Sequence, residues 1–449
     1  MKRICLMMCL IALLSDVCYA ALSGSWHGKL HIMPSVSLTV VIHLSADSEG
    51  NTEVTMDSPD QGVYGLKGDV LYVSDDSLAI SVASVSMTYS AVRMYNQLVG
   101  TFRQGSLEKG LMMIPGDGLP PRPQTPVPPY PYRTEPVVFE SAMATLSGTL
   151  TLPTEGVDSD TPVVLMVTGS GQQNRDEEVF GHKPFAVIAD CLARNGIASL
   201  RYDDRGFGQS TGDCREATTV DFALDAQAGI DWLRSSGRFA RIGVLGHSEG
   251  AAIAFILGAE KSVDFAVALG APAVRGDSIL IDQNRRALIE LGVSEEIVAK
   301  YMAALAELYG RIIAGDESYG IAAAADSIAS GWSTSPEMSQ MADNIRSVAQ
   351  STQTPWLKYF IRESPERYIV RTECPVLALY GGKDVQVSPE VNYDAMRWIA
   401  PANVTVRLYE GHNHLFQHAE TGSVTEYRKI SETISPDVLA DIVGFIHGL

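Results

Sequence analysis

Val244-Leu245-Gly246-His247-Ser248-Glu249-Gly250-Ala251-Ala252 decides how this chain is read. Arg241 to Leu245 is a short run with strand character, and Ala251 to Leu257 is an apolar run with helical character. Between them stands Gly-x-Ser-x-Gly. A serine on a sharp strand-to-helix turn has a strained backbone and closely passing neighbours, so the flanking residues must be small. Gly246 and Gly250 meet that demand, and the turn lifts the Ser248 hydroxyl clear of the sheet. In a chain with 39 glycines the bare pattern recurs by chance; set between a strand and a helix it is specific.

Outward from this turn, strands alternate with helices across residues 134–449. Val137 to Phe139 and Leu146 to Leu152 read as an opening hairpin. Pro162 to Thr168 is a continuous apolar strand, as expected where both faces of a sheet are covered. Pro184 suits the first turn of a helix running to Asn195, and Ile197 to Tyr202 is the next strand. Thr219 is placed to cap a helix through Ser235, and Phe265 to Leu269 is again a strand. The pattern predicts an α/β domain with a mostly parallel sheet flanked by helices. Alternation lapses over about residues 273–369, where helical patterns such as Glu295 to Arg311 replace strands. Because it falls between sheet strands, this stretch reads as a helical cap over the strand ends. Pro375 to Tyr380 and Val404 to Tyr409 resume the sheet, and Pro436 to Ile446 closes the chain as a helix.

The N-terminal part differs. Residues 21–114 show short alternating runs such as Leu78 to Val82, broken by Gly and Asx turns, which predicts a small all-β domain, a sandwich or a barrel. Trp26 and the tyrosines at 64, 72, 89 and 95 are candidates for a ligand groove there, although aromatics of this kind more often serve a core or rim. Residues 115–133 are rich in proline, which favours an extended tether between domains. Residues 1–20 carry Lys2 and Arg3, the apolar run Ile4 to Leu14 and a small-residue end at Ala20, the pattern of a secretory signal peptide. The expected location is therefore secreted or periplasmic.

With 449 residues, 46% of them hydrophobic and 19% charged, the chain has enough apolar content for two globular domains. A net charge of −19 disfavours nucleic acid and anionic lipid as partners. Three of the six cysteines lie in the leader, so Cys191, Cys214 and Cys374 form no disulfide scaffold, although one bridge among them stays open. No cofactor or metal is expected. No further stretch reaches membrane-spanning length.

A serine hydroxyl needs a base to take its proton, and the base needs a third group to orient it. Asp384 lies in Gly381-Gly-Lys-Asp384, a loop leaving one strand, and Glu410-Gly-His412-Asn-His414 leaves the next. His414 is the favoured base over His412, and Asp384 the favoured acid over Asp394, which falls inside a helical pattern. His412-x-His414 is also half of a metal pattern, with no third ligand spaced to complete it. The developing oxyanion needs two backbone donors. Glu249 supplies one N–H directly after the serine, and Ser170, in Gly169-Ser170-Gly171-Gln172, supplies the other.

Gly-His-Ser-Glu-Gly, Arg201 to Ser210, Thr168 to Gln172 and Asn413-His-Leu-Phe-Gln417 together resemble the α/β-hydrolase superfamily. More narrowly, residues 134–449 are similar to bacterial two-domain carboxylesterases whose catalytic module is like serine aminopeptidases and prolyl-oligopeptidase-like hydrolases. The resemblance implies a Ser248, Asp384, His414 triad acting on a small-molecule ester, with the histidine of the Asn-His-Leu-Phe-Gln run as base. Asp204 and Arg205 match a structural turn of that family. His182 and Lys183 lie near the oxyanion loop in sequence, either reaching substrate or forming ordinary loop surface. An aminopeptidase would need acidic groups to hold the substrate amine, and Glu295, Glu296, Glu307 and Asp316 are candidates in the cap.

Overall fold

Alternate residues of Ser77–Val82 point inward, with Leu78, Ile80 and Val82 buried, and this period of two repeats around eight antiparallel strands that close into a barrel. The computed structural model describes residues 22–33, 36–47, 50–61, 63–158, 160–332 and 336–449. The leader expected over residues 1–20 lies outside them, as does the Tyr64 side chain. The chain divides into two compact units, Met1–Leu119 and Pro120–Leu449.

The barrel strands are β1 (Gly24–Met33), β2 (Val36–Ala46), β3 (Thr52–Ser58), β4 (Val63–Val73), β5 (Ser77–Val82), β6 (Met87–Met94), β7 (Gln97–Gln104) and β8 (Leu107–Pro115). Each pairs with its neighbour in sequence, and Trp26 and His27 of β1 meet Pro115 and Ile114 of β8 to close the ring. Eight strands leave an interior just wide enough for side chains to fill. Ile42, Ile80, Leu98, Met113 and Tyr89 fill it, the Tyr89 hydroxyl donating to the Leu111 carbonyl at 3.1 Å. The candidate groove aromatics divide: Trp26 and Tyr89 are core, while Tyr72 and Tyr95 stand exposed on the outside.

The second unit holds an eight-stranded sheet in the order β16-β15-β14-β13-β11-β12-β10-β9. Its strands are β9 (Arg133–Ser141), β10 (Ala144–Leu152), β11 (Pro162–Val167), β12 (Ala198–Tyr202), β13 (Arg241–His247), β14 (Phe265–Leu269), β15 (Val376–Gly381) and β16 (Val404–Tyr409). The hairpin of β9 and β10 joins β12 antiparallel, and the other pairings are parallel. Helices cover both faces, so β12, β14 and β15 are buried throughout. Val164 and Met166 of β11 pack with α1 (Pro184–Arg194) and the C-terminal helix Pro436–His447. Leu165 and Val167 point the other way, toward α2 (Thr219–Ser235) and α3 (Glu249–Ala259).

Between β14 and β15 the chain forms α4 (Gly276–Glu290), α5 (Glu295–Ala314), α6 (Ser318–Ser330), α7 (Pro336–Ser351), α8 (Pro355–Arg362) and the short α9 (Glu366–Ile369). These helices enclose an apolar core of their own around Leu305, Leu308, Ile312, Ile321, Ile345 and Ile361.

Two local readings differ from expectation. Thr218, not Thr219, caps α2, in a capping box with Asp221, which frees the Thr219 hydroxyl for another partner. From Pro120 onward the proline-rich stretch is also more than a tether. Arg122 donates to the carbonyls of Phe180 at 3.0 Å and Arg428 at 2.9 Å, and Gln124 donates to the Ile434 carbonyl at 2.7 Å. These bonds strap it to the second unit.

Candidate active site

The reversal of strand order beside β11 leaves a crevice at the carboxyl ends of the strands, where ligands of open α/β sheets bind. Ser248 follows β13 there as the N-cap of α3, with φ 55° and ψ −114°, a strained positive-φ turn for a residue with a side chain. Its N–H donates to the Leu269 carbonyl at 2.8 Å, holding the turn against β14. A Cβ on Gly246 would meet the Gly250 carbonyl oxygen at 1.9 Å, and one on Gly250 would meet the Val167 oxygen at 2.1 Å. Only glycine fits either place. Among the described residues the Ser248 hydroxyl accepts or donates no hydrogen bond, so it faces the cleft free.

His414 and Asp384 meet above it. The His414 Nδ1–H donates to Asp384 Oδ2 at 2.6 Å, and the other carboxylate oxygen accepts the N–H groups of Gln386 at 2.7 Å and Val387 at 2.9 Å. Both carboxylate oxygens are thus committed, which fixes the imidazole and leaves Nε2 as its free nitrogen. Both side chains are buried, and His414 shares the cleft wall with Ser248. His412 lies elsewhere, its ring against Tyr409 and His418, and burial lowers its pKa. Asp394 is exposed on the helix Pro389–Ile399. Among the described residues no cluster of three or more His, Cys, Asp or Glu is placed to hold a metal, and all three cysteines are free.

Ser170 and Glu249, the expected oxyanion donors, both line the cleft beside Ser248. Gly169 packs so closely that a Cβ there would sit 3.2 Å from the Ser248 Cβ. The loop is clamped at both ends by Asp204, which accepts the Thr168 hydroxyl at 2.9 Å and the Gln173 N–H at 2.8 Å. Loss of water around the Asp204 carboxyl pushes its pKa up to about 7, against the pull of those bonds. Arg205 forms a buried pair with Asp225 at 2.6 Å. Both residues are architectural.

Residues that sequence alone did not single out, Glu177 and Trp356 foremost, complete the site. The Glu249 carboxylate accepts the Thr219 hydroxyl at 2.6 Å and the Trp356 indole N–H at 2.7 Å, tying the serine turn to cap helix α8. Burial raises the Glu249 pKa, and hydrogen bonds from Thr219, Trp356 and Ser170 oppose that rise. Glu177 accepts the Gly169 N–H at 2.8 Å and bonds His247 at 2.9 Å. Nothing in the run Asp176-Glu177-Glu178 marks its middle member. Trp356 stacks on Phe360 at 5.6 Å to form one wall of a cleft of about 410 Å³. Ile279 and Leu280 of α4, with Phe180, Val387 and Leu415, make the rest largely apolar.

Other candidates lie outside this cleft. His182 is fully buried behind it, bonded to Thr433 at 3.0 Å and the Tyr427 carbonyl at 2.9 Å, and burial pushes its pKa down to about 4. Lys183 pairs with Glu178 at 3.4 Å. Neither Glu295, Glu296, Glu307 nor Asp316 lines the cleft; Glu296 pairs with Lys300, and Glu307 and Asp316 with Arg311.

Comparison with known proteins identifies a family. Residues 183–421 match the family described as "Serine aminopeptidase, S33". The esterase EstD of Thermotoga maritima is 27% identical over 292 residues, 63% of this chain and 61% of that protein's length. Among solved structures, the Pyrococcus furiosus esterase Pf2001 aligns at 18% identity over 71% of this chain and 93% of its own, with a TM-score of 0.41. The proline iminopeptidase of Mycobacterium smegmatis aligns at 17% identity over 70% and 98%, with a TM-score of 0.42. The match spans more than half of the chain and includes the serine turn and both loops that carry Asp384 and His414. This chain belongs to the serine aminopeptidase family of α/β-hydrolases.

Proposed function

We propose that the chain is a serine hydrolase that cleaves carboxylic esters through an acyl-enzyme. One observation carries the reading: the 2.6 Å bond that fixes His414 on Asp384 stands in the same cleft as Ser248 on its strained turn. Ser248 Oγ attacks the acyl carbon while His414 Nε2 takes its proton and then delivers it to the leaving alcohol. Asp384 holds the ring by Nδ1 and offsets the charge of the imidazolium. The N–H groups of Ser170 and Glu249 stabilise the oxyanion, Glu249 from the first turn of α3. Water then repeats the cycle on the acyl-enzyme, with His414 as base.

An ester is favoured over a peptide by the cleft itself. The cap acids that a bound amine would need do not line it, and the two carboxylates at its wall, Glu177 and Glu249, are already engaged. The esterase name of the Thermotoga maritima relative points the same way. The apolar lining and the stacked Trp356–Phe360 wall support short acyl groups. The basic, then apolar, then small-residue order of residues 2–20 supports export, which the N-terminal sequence of the mature protein would test at Ala20.

The experiment is hydrolysis of p-nitrophenyl esters from acetate to octanoate. Turnover should fall with acyl length and drop by about 10⁵-fold or more in Ser248→Ala, with the fold unchanged. Full activity in that variant would remove Ser248 from the mechanism. Faster cleavage of aminoacyl amides than of any ester would make the chain a peptidase, and silence on both substrates would leave a binding protein on a hydrolase fold.

A further inference from the structure

His247, the residue before the serine, faces two acceptors. One ring nitrogen, Nδ1, lies 2.9 Å from Glu177 Oε1, and the other, Nε2, lies 2.9 Å from the backbone carbonyl oxygen of His414. A neutral imidazole carries one N–H and would leave one of these contacts as an acceptor facing an acceptor. Both bonds form only when the ring carries two protons. The side chain is buried, so its charge requires a counter-ion, and Glu177, itself 3% exposed, is the carboxylate in contact.

The same Glu177 oxygen accepts the Gly169 N–H at 2.8 Å, which anchors the loop that carries Ser170. Glu177 occupies the left-handed region at φ 52°, a conformation that a bulky residue adopts when its surroundings impose it. Three loops therefore converge on one pair: the oxyanion loop through Gly169, the serine turn through His247, and the base loop through the His414 carbonyl. Among the described residues no hydrogen bond of a triad member joins the oxyanion loop to the base loop.

We propose that Glu177 and His247 form a buried carboxylate–imidazolium pair that positions the oxyanion loop and the catalytic base relative to Ser248. The proposal rests on the serine-hydrolase reading above, and both are positioning residues, acting through Gly169 and His414. The charged and titratable groups that face His247 are Glu177, the Asp384 carboxylate and the His414 ring, 4.5 Å away between centroids. Burial lowers the pKa of His247, but the charge and hydrogen bond of Glu177 outweigh it, so the net direction is upward. Without Glu177 burial is opposed only by the His414 carbonyl and the Asp384 charge, so the pKa falls, and once the ring is neutral one of its two bonds is lost.

Two measurements test the pair. In ¹⁵N-labelled wild-type protein at about pH 7.5, both ring nitrogens of His247 should show imidazolium shifts, and in Glu177→Gln they should show a neutral tautomer. Neutral shifts in the wild type would overturn the proposal, whether or not the enzyme turns over. In ester hydrolysis Glu177→Gln should lower kcat by about tenfold or more with little change in KM, and move the basic limb of the profile to lower pH, because the variant works best while His247 stays protonated. Glu177→Asp should recover part of kcat and the imidazolium shifts. A Glu177→Gln enzyme with wild-type kcat and an unmoved pH profile, merely less stable, would reduce the pair to a fold contact. The Ser248→Ala assay is separate, since the nitrogen shifts need no turnover.

Discussion

The two units spend their interiors differently. Among the described residues the barrel buries no charged side chain: Ser58, the Tyr89 hydroxyl and the Trp26 indole are the polar groups amid an apolar filling of Ile42, Ile80, Leu98 and their neighbours. The second unit buries Glu177, Asp203, Arg205, Asp225, His247, Glu249, Asp384 and His414, all near the carboxyl ends of its strands. Apolar packing is non-directional and insensitive to pH, whereas each buried charge is held by a partner in a fixed direction and stays sensitive to protons. The barrel's interior can therefore only stabilise. That of the second unit can also orient groups and exchange protons, at the cost of stability that depends on its partners.

The largest effect that sharpens this contrast is expected in the barrel. Ile80 is fully buried among the inward residues of β5 and β6. Ile80→Ala should cost about 4 kcal/mol, the loss of buried methyl groups plus the cavity they leave. Hydrogen exchange of the β5 and β6 amides reads that loss, which should be equal at pH 5 and pH 8 and leave kcat untouched. A cost that changed with pH would mean that a charge enters the barrel's stability after all.

Asp204 supplies the opposite behaviour. Its pKa rises from 3.8 to about 7 in the folded chain, so folding is favoured by its protonated form. Its contribution is present below the unfolded value and is lost as pH rises through about 7. Between pH 5 and pH 8 the second unit should therefore lose about 3 kcal/mol relative to Asp204→Asn, whose amide does not titrate. Urea unfolding of the two proteins at both pH values measures the difference. Parallel pH dependence in both would show that Asp204 is ionised without penalty.

How much of this was legible in the sequence follows the same division. The serine turn, the Asp384 loop and the His414 loop each follow a strand at short range, so local spacing could single them out as candidates. The barrel's alternation predicted inward and outward residues, although closure into a ring depended on β1 meeting β8 across the unit. Contacts between distant segments left no local mark. Asp176, Glu177 and Glu178 are alike on paper, and only the loop's turn at Glu177 aims the middle carboxylate at His247. His182 looked near the oxyanion loop, yet Thr433 and Tyr427, some 250 residues on, draw it behind the cleft. Proline content suggested an extended tether over residues 115–133, but could not say that Arg122 and Gln124 would pin part of it down.

The smallest effect concerns a hydrogen bond that joins the serine turn to the cap. Trp356 stacks on Phe360 and donates its indole N–H to Glu249. Trp356→Phe keeps the stack and removes the donor, while Thr219 still serves the same carboxylate oxygen. A hydrogen bond contributes about 0.5–1.5 kcal/mol net, and with Thr219 and Ser170 still bonded to Glu249 the loss should be about 1 kcal/mol. If the cap only shapes the cleft, this appears as a KM raised about fivefold for p-nitrophenyl butyrate with kcat unchanged. The oxyanion loop would then owe its position to Asp204, Glu177 and the Ser170 bond to Glu249, without help from the cap. If kcat falls instead and KM holds, the bond reaches past the cap to the Glu249 N–H, and the cap helix α8 takes part in aligning the oxyanion donor beside Ser248.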